Sequence, residues 1–305
     1  MYNFIDLFCG AGGFAYGFEA TGKFKCIGAI DNKKAAIETH KLNFKDSYSL
    51  CEDIRKVPPE LFEENLQGRK VDVIIGGPPC PTFSTIGHAK INSIRNPKGK
   101  SVNDDPRNDL FLDFLNYVDY FQPKIFVMEN VPQFLTKYKG GTFKRVQELM
   151  NQSFPDYEIH HDVKVLNSVN YGVPQNRRRM IMVAYKKGYR FKYPEISHWF
   201  EGSRFNIDPN ENHDDGKRLK PHVTVESAIT DLPIITDNWR VSECEYSTSV
   251  DLDEYQKLMR KRTSDTVQNN ICRMSNDRAK KVFSNMKQGD IYMDSGSHKL
   301  MVFDG

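Results

Sequence analysis

An α/β fold built on a mostly parallel sheet is what this sequence predicts, and three observations predict it. Up to about residue 190, short apolar runs alternate with longer amphipathic ones, the rhythm of strand and helix units. The first apolar run passes through a glycine-rich turn directly into a helical pattern. The 305 residues allow either one large domain or a domain of roughly 200 residues with an appendage, because single cores stop growing near ~250–300 residues.

Strands are expected at Phe4–Phe8, Lys25–Ile30, Val71–Ile75, Lys124–Met128, Tyr157–Leu166 and Arg178–Tyr185, with a further one ending near Asp53. Between them, Phe14–Ala20, Lys33–Leu42, Leu110–Phe121 and Phe143–Phe154 carry apolar residues three or four apart. That spacing gives each helix one apolar stripe with which to cover a sheet face. After Lys192 the character changes: Tyr193 to Arg218 is polar, rich in Asn, Asp and His, and reads as a long connection. A short ordered piece at Val223–Pro233 and a helix from about Ser275 to Met286 follow.

Composition narrows the function classes. Hydrophobic content of 39% with 27% charged residues is ordinary for a globular protein, and no apolar run approaches the ~20 residues of a membrane span. The N-terminus enters a strand at Phe4 without the features of a secretory signal, so an intracellular, cytoplasmic protein is expected. Six scattered cysteines with no C-x-x-C pair argue against structural metal. The net charge of +3 says little, but its distribution says more. Thr85 to Asn103 holds Lys90, Arg95, Lys98 and Lys100 without an acid, and Asn176 to Pro194 is equally one-sided; each is either a phosphate-facing stretch or a solvated loop.

The strand, glycine turn and helix at Phe8–Gly13 let a ligand approach the backbone, and Asp31, about 20 residues on, ends the second strand where an acid can bond ribose hydroxyls. A nicotinamide enzyme, a methyl-donor enzyme and a glycine turn without cofactor all fit. Phe8 itself reads equally as a core aromatic. Asp53 and Ile54 stand where an aspartate can accept from an adenine amino group while Ile54 covers the ring. Val71–Ile75 runs into Gly76-Gly77-Pro78-Pro79-Cys80-Pro81, a stiff turn presenting one cysteine at the carboxyl edge of the sheet, where ligands bind. Arg177 and Arg179 alternate, so they share a face and Arg178 points the other way; a solvated basic strand or a phosphate-binding patch would look the same.

Phe8-x-Gly10-x-Gly12-Gly13, Pro79-Cys80-x-x-Phe83-Ser84, Glu129-Asn130-Val131 and Gln175-x-Arg177-x-Arg179 occur in the order and approximate spacing of the DNA cytosine-5 methyltransferases. The resemblance spans about the first 290 residues and also takes in Tyr171–Pro174 and Val223–Pro233. It implies a Rossmann-like S-adenosylmethionine-dependent methyltransferase sheet with helices on both faces, plus an incomplete small C-terminal domain. Residues 1–192 would be the catalytic and cofactor-binding domain, 193–268 a connecting region, and 269–305 the truncated start of a target-recognition domain. S-adenosylmethionine would be held by Phe8, Gly10, Gly12, Asp31, Asp53, Ile54, Pro78 and Leu110.

The residues also make chemical sense. Carbon 5 of cytosine is a poor nucleophile until something adds to carbon 6, and a thiolate adds and leaves well. Cys80 is the candidate nucleophile, Glu129 the acid at ring nitrogen 3, and Arg177 and Arg179 the groups that bond the base and orient Glu129. The cytosine must leave the duplex stack to be reached. Ser84, Lys90, Arg95 and Lys98 of the loop after the nucleophile, together with Gln175, are the candidate DNA contacts. The Arg- and Glu-containing block and the final Asn-containing helix of the family are not found, so a second polypeptide carrying the target-recognition region and these motifs is expected beside double-stranded DNA, with a truncated or degenerate gene as the other reading. A tRNA cytosine-5 methyltransferase and an inactive cofactor- or DNA-binding subunit are the alternatives.

Overall fold

The computed structural model describes residues 1–79, 110–136, 141–199, 219–234, 243–246, 251–260, 266–271, 277, 280, 284–285, 292–293 and 299–301. The chain divides into two compact units, Met1–His222 and Val223–Gly305.

The first unit is a sheet with helices on both faces. Its strands are β1 (Tyr2–Leu7), β2 (Phe24–Asp31), β3 (Tyr48–Cys51), β4 (Val73–Gly76), β5 (Ile125–Asn130), β6 (Tyr157–Ile159), β7 (Lys164–Asn167) and β8 (Arg178–Lys186). They lie in the order β3-β2-β1-β4-β5-β8-β6, with β7 also paired to β8. The first five strands pair in parallel, and β8 runs antiparallel to its neighbours β5, β6 and β7. Successive residues of a strand face opposite sides, and the core divides accordingly. Ile5, Leu7, Ile74, Phe126 and Met128 pack with the helix Leu110–Phe121 in one cluster. Phe4, Val73, Ile75, Val127 and Val183 pack with Ala15 and Phe44 in another.

The strand expected over Tyr157–Leu166 is two strands. Ile159 pairs with Ala184 and Lys164 with Ile181, so five steps along this edge face only three along β8. His160 to Val163 stand opposite only Val183 and Met182, a surplus of two residues, although the His160 amide still donates to the Val183 carbonyl at 2.8 Å; such a surplus bends an edge strand. A helix over Pro59–Glu63 with Pro at its first turn, where the missing N–H is harmless, lies in a stretch with no expected element. The expected C-terminal helix falls mostly outside the described residues, although Asp277, Lys280, Ser284 and Asn285 are helical.

The first unit continues beyond the composition shift at Lys192. Tyr193 is buried and donates its hydroxyl to the Ile181 carbonyl at 2.6 Å, and the Ser197 amide donates to the Asn170 carbonyl at 2.9 Å. In the second unit, helices Val225–Ile229 and Glu254–Arg260 are tied together by Gln256 on Thr230 at 2.8 Å and by the Arg260–Asp231 ion pair, also 2.8 Å. No helix among the described residues is long and apolar enough to cross a membrane.

One buried group makes stability depend on pH. His40 is fully buried, stacks on Phe44 at 4.4 Å between centroids, and bonds Ser49 Oγ through Nδ1 at 2.8 Å, while Nε2 has no partner. Burial pushes this imidazole down to about 4, against ~6.5 when unfolded. The unfolded chain therefore binds the extra proton between those values, so stability present above about pH 6.5 is lost as pH falls toward 4. Denaturant titrations at pH 7.5, 6 and 5 should show this loss in the parent chain and a flatter response in His40→Gln. Equal slopes in the two proteins would show that His40 is not the titrating group.

Candidate active site

The carboxyl ends of β1, β2, β4 and β5 lie together, and the chain leaves each by a different device. After β1, Phe8 takes φ +63°, an uncommon conformation for a bulky residue that costs about 1–3 kcal/mol. Such strain persists only where the surroundings fix it, and it turns Phe8 out of the strand and into the pocket lining while its ring packs against the core. Gly12 follows at φ +92°, and a side chain there would strike the rings of Phe44 and His40. Asp31, the last residue of β2, accepts from the Gly10 amide at 3.0 Å and the Lys33 amide at 2.9 Å, fixing the glycine turn to the neighbouring strand.

After β4 the chain enters Gly77-Pro78-Pro79 toward Cys80. Asn130, the last residue of β5, donates its Nδ2 to the Pro78 carbonyl at 3.1 Å and accepts the Val131 amide at 2.9 Å. Gly77 has its α-carbon against Glu129: a β-carbon built there would lie 3.3 Å from Glu129 Oε2. Glu129 and Asn130 thus belong to β5 rather than following it, and they hold the backbone that leads to the cysteine. Glu129 Oε1 is bonded in turn to Arg179 Nε at 2.7 Å, with both side chains about a quarter exposed at 28% and 26%. A charge-assisted contact of this length fixes the carboxyl plane.

Of these residues Phe8, Gly77, Glu129 and Arg179 line one cavity of about 690 Å³. Among the described residues it is bounded further by Asp6, Cys9, Gly13, Phe14, Leu166, Ser168, Tyr171, Arg177, Ile181 and Pro194, whereas Gly10, Gly12, Asp31, Pro78 and Asn130 stand outside that lining. Arg178 instead lines a separate cavity of about 650 Å³ along β7, as the strand's alternation requires. Of the other residues singled out in the sequence, Ile54 and Leu110 are buried in the core cluster against which Phe8 packs. Asp53 caps the turn Ile54–Lys56 and pairs with Arg55, whose guanidinium holds the carboxyl below its usual range. Pro78 is buried and Gln175 exposed. Cys80, Ser84, Lys90, Arg95 and Lys98 lie outside the described residues.

Asp6 was not singled out, and it is the most constrained polar group in the cavity. It is 1% exposed; its carboxyl accepts from the Ala15 amide, and Oδ2 has no hydrogen-bond partner. An acid inside the otherwise apolar Phe4–Leu7 was the available signal. An orphaned acceptor in a cavity wall calls for a donor from the occupant. S-adenosylmethionine, with an ammonium, a sulfonium and an adenine, fits an orphaned carboxyl, a side-chain-free turn and an aromatic ring in one pocket.

Known proteins resemble this chain over most of its length. The family model for C-5 cytosine-specific DNA methylase matches residues 2–301. The Type II methyltransferase M.AgeI of Thalassovita gelatinovora is 33% identical over 277 residues, 88% of this chain and 60% of that protein. The Type II methyltransferase M.AquIA of Picosynechococcus is 34% identical over 238 residues, 76% of this chain and 89% of that protein. A crystal structure described as a DNA modification methyltransferase encoded within an E. coli prophage superposes with a TM-score of 0.68 at 24% identity, over 95% of this chain and 77% of that one. The chain spans 60% of M.AgeI and 49% of M1.HphI from Haemophilus parahaemolyticus. With a family model matched over residues 2–301, the chain belongs to the C-5 cytosine-specific DNA methylase family.

Proposed function

We propose that this chain is the catalytic part of a DNA cytosine-5 methyltransferase of restriction-modification type, working through a covalent bond between Cys80 and carbon 6 of a flipped cytosine. The observation that carries the reading is the Glu129–Arg179 pair at 2.7 Å, set against the Gly77-Pro78 backbone that leads to Cys80. The relatives that bear the name Type II methyltransferase support the biological setting.

In this reading the Cys80 thiolate forms the S–C6 bond, and the electrons released from the C5=C6 bond spread toward nitrogen 3. Glu129 delivers a proton there, which leaves a nucleophilic enamine carbon 5. Arg179 holds the Glu129 carboxyl in its plane, and Arg177, lining the same cavity, bonds the base carbonyl oxygen. Enzymes of this family use S-adenosylmethionine, which supplies the electrophilic methyl group. Phe8, Gly10, Gly12, Asp31, Asp53, Ile54, Pro78 and Leu110 are assigned to hold it, with Asp6 added. Loss of the carbon 5 proton to water then expels the Cys80 sulfur as thiolate, and the nitrogen 3 proton returns to Glu129, which restores the neutral aromatic ring. Ser84, Lys90, Arg95, Lys98 and Gln175 are assigned to the DNA backbone around the flipped nucleotide.

A second polypeptide is proposed to carry most of the target-recognition region, which begins here near Asn269. In keeping with this, 76% of this chain takes in 89% of M.AquIA, which bears the name Type II methyltransferase. The test offers labelled S-adenosylmethionine to the chain, alone and with a complementing recognition polypeptide, on duplex DNA and on tRNA. Label in duplex DNA only when both polypeptides are present is the expected result. Robust site-specific DNA labelling by the chain alone would refute the need for a partner, and label in tRNA alone would refute the DNA assignment.

A further inference from the structure

Asp6 stands apart from the assigned reaction groups. Asp6 is 1% exposed, belongs to the cavity wall, and has one carboxyl oxygen, itself buried just behind that wall, without any donor. No ion pair to Asp6 is formed among the described residues, although Arg179 lines the same cavity and is committed to Glu129. The titratable groups packed around it give no compensation. From β2 come Asp31 and the Cys26 thiol, and from the glycine turn the Cys9 thiol. The flanking β4 offers only Val73, Ile74, Ile75 and Gly76, and the first helix carries Glu19 at its far end, where it accepts from the Cys26 amide at 2.8 Å. An isolated carboxylate in such surroundings is costly, and the group stays protonated instead.

We infer that Asp6 couples cofactor binding to proton release: the side chain is a neutral acid in the free cavity and becomes a carboxylate against the bound cationic cofactor. The inference rests on the cofactor reading given above. The balance is simple, with Asp6–COOH and the cation giving Asp6–COO⁻ paired to the cation, while the proton passes to the buffer. No bond to the cofactor is made or broken. Burial, opposed in part by the Ala15 amide and reinforced by Asp31, holds the carboxyl well above its usual range, in agreement with the geometry. A fixed positive charge brought against the orphaned oxygen reverses that preference. Binding that releases one proton strengthens about tenfold for each pH unit, up to the pH at which the free carboxyl ionises.

Titration calorimetry of the intact chain with S-adenosylmethionine at one pH, in phosphate and in Tris, tests this directly. The two buffers take up a proton with different heats, so the apparent enthalpies should differ by close to one proton's worth per site. Asp6→Asn should bind more weakly, with equal enthalpies in both buffers and an affinity independent of pH, whereas Glu129→Gln should keep the difference. Equal enthalpies in the parent chain would overturn the inference even if Asp6→Asn fails to fold, as would a buffer difference that survives in Asp6→Asn. Absence of any binding would remove the cofactor reading itself, a result distinct from binding without proton release.

Discussion

Cys80→Ser is expected to reduce methyl transfer to cytosine by at least roughly 10⁴-fold, within the range seen when a covalent nucleophile is removed, while S-adenosylmethionine binding changes little. Serine keeps the shape and removes the thiolate, which is both the stronger nucleophile at neutral pH and the better leaving group. The effect should appear in kcat, because the chain leading to the residue is held independently of the sulfur. Pro78 is pinned by Asn130 at 3.1 Å, and Gly77 lies against Glu129. Single-turnover transfer to duplex DNA, with cofactor binding measured separately, checks both halves. Turnover undiminished in Cys80→Ser would mean that the addition at carbon 6 is made by another group.

Glu129→Gln is expected to lower kcat by about 10²–10⁴-fold, the contribution of a positioned general acid. Glutamine can still sit beside Gly77, but it cannot deliver a proton to ring nitrogen 3. It also replaces the charge-assisted contact to Arg179 Nε at 2.7 Å with a weaker neutral one. Arg179→Lys should fall in the same direction by a smaller factor, because an ammonium lacks the planar fork that fixes the carboxyl. A Glu129→Gln enzyme with parental kcat and altered cofactor affinity would place this carboxylate in the cofactor site instead.

Much of the fold was legible because local pattern and global architecture coincide. The alternation of Phe4, Ile5 and Leu7 between two packed faces, and the spacing of Leu110, Phe114 and Val118 along one helix stripe, are properties of neighbouring residues. The break between β6 and β7 was hidden because it depends on the β8 register, not on the apolar run itself. The site divided in the same way. Glu129, Arg177 and Arg179 were readable from motifs, and the structure brings them into one cavity. The hydrogen bond from Asn130 to Pro78 joins residues 52 apart and leaves no local trace. The positive φ of Phe8 and the orphaned oxygen of Asp6 likewise arise only when β1, β2 and the first helix are packed together.

The pairing of Asp53 with Arg55 carries a related lesson. From the sequence, Asp53 was a free acceptor at a strand end; in the folded chain its carboxylate caps the turn Ile54–Lys56 and holds Arg55. A carboxylate with several acceptor sites can do this and still meet an adenine amino group. The ion pair with Arg55 fixes its orientation in advance.

Trapping on a duplex that carries 5-fluorocytosine at the target position probes the chemistry most directly, since the fluorine blocks the loss from carbon 5 that would release the enzyme. With S-adenosylmethionine and a complementing recognition polypeptide added, the expected product is a denaturant-stable protein–DNA species whose cross-linked peptide carries the nucleotide on Cys80. Attachment at any other residue, or equal trapping by Cys80→Ser, would contradict it.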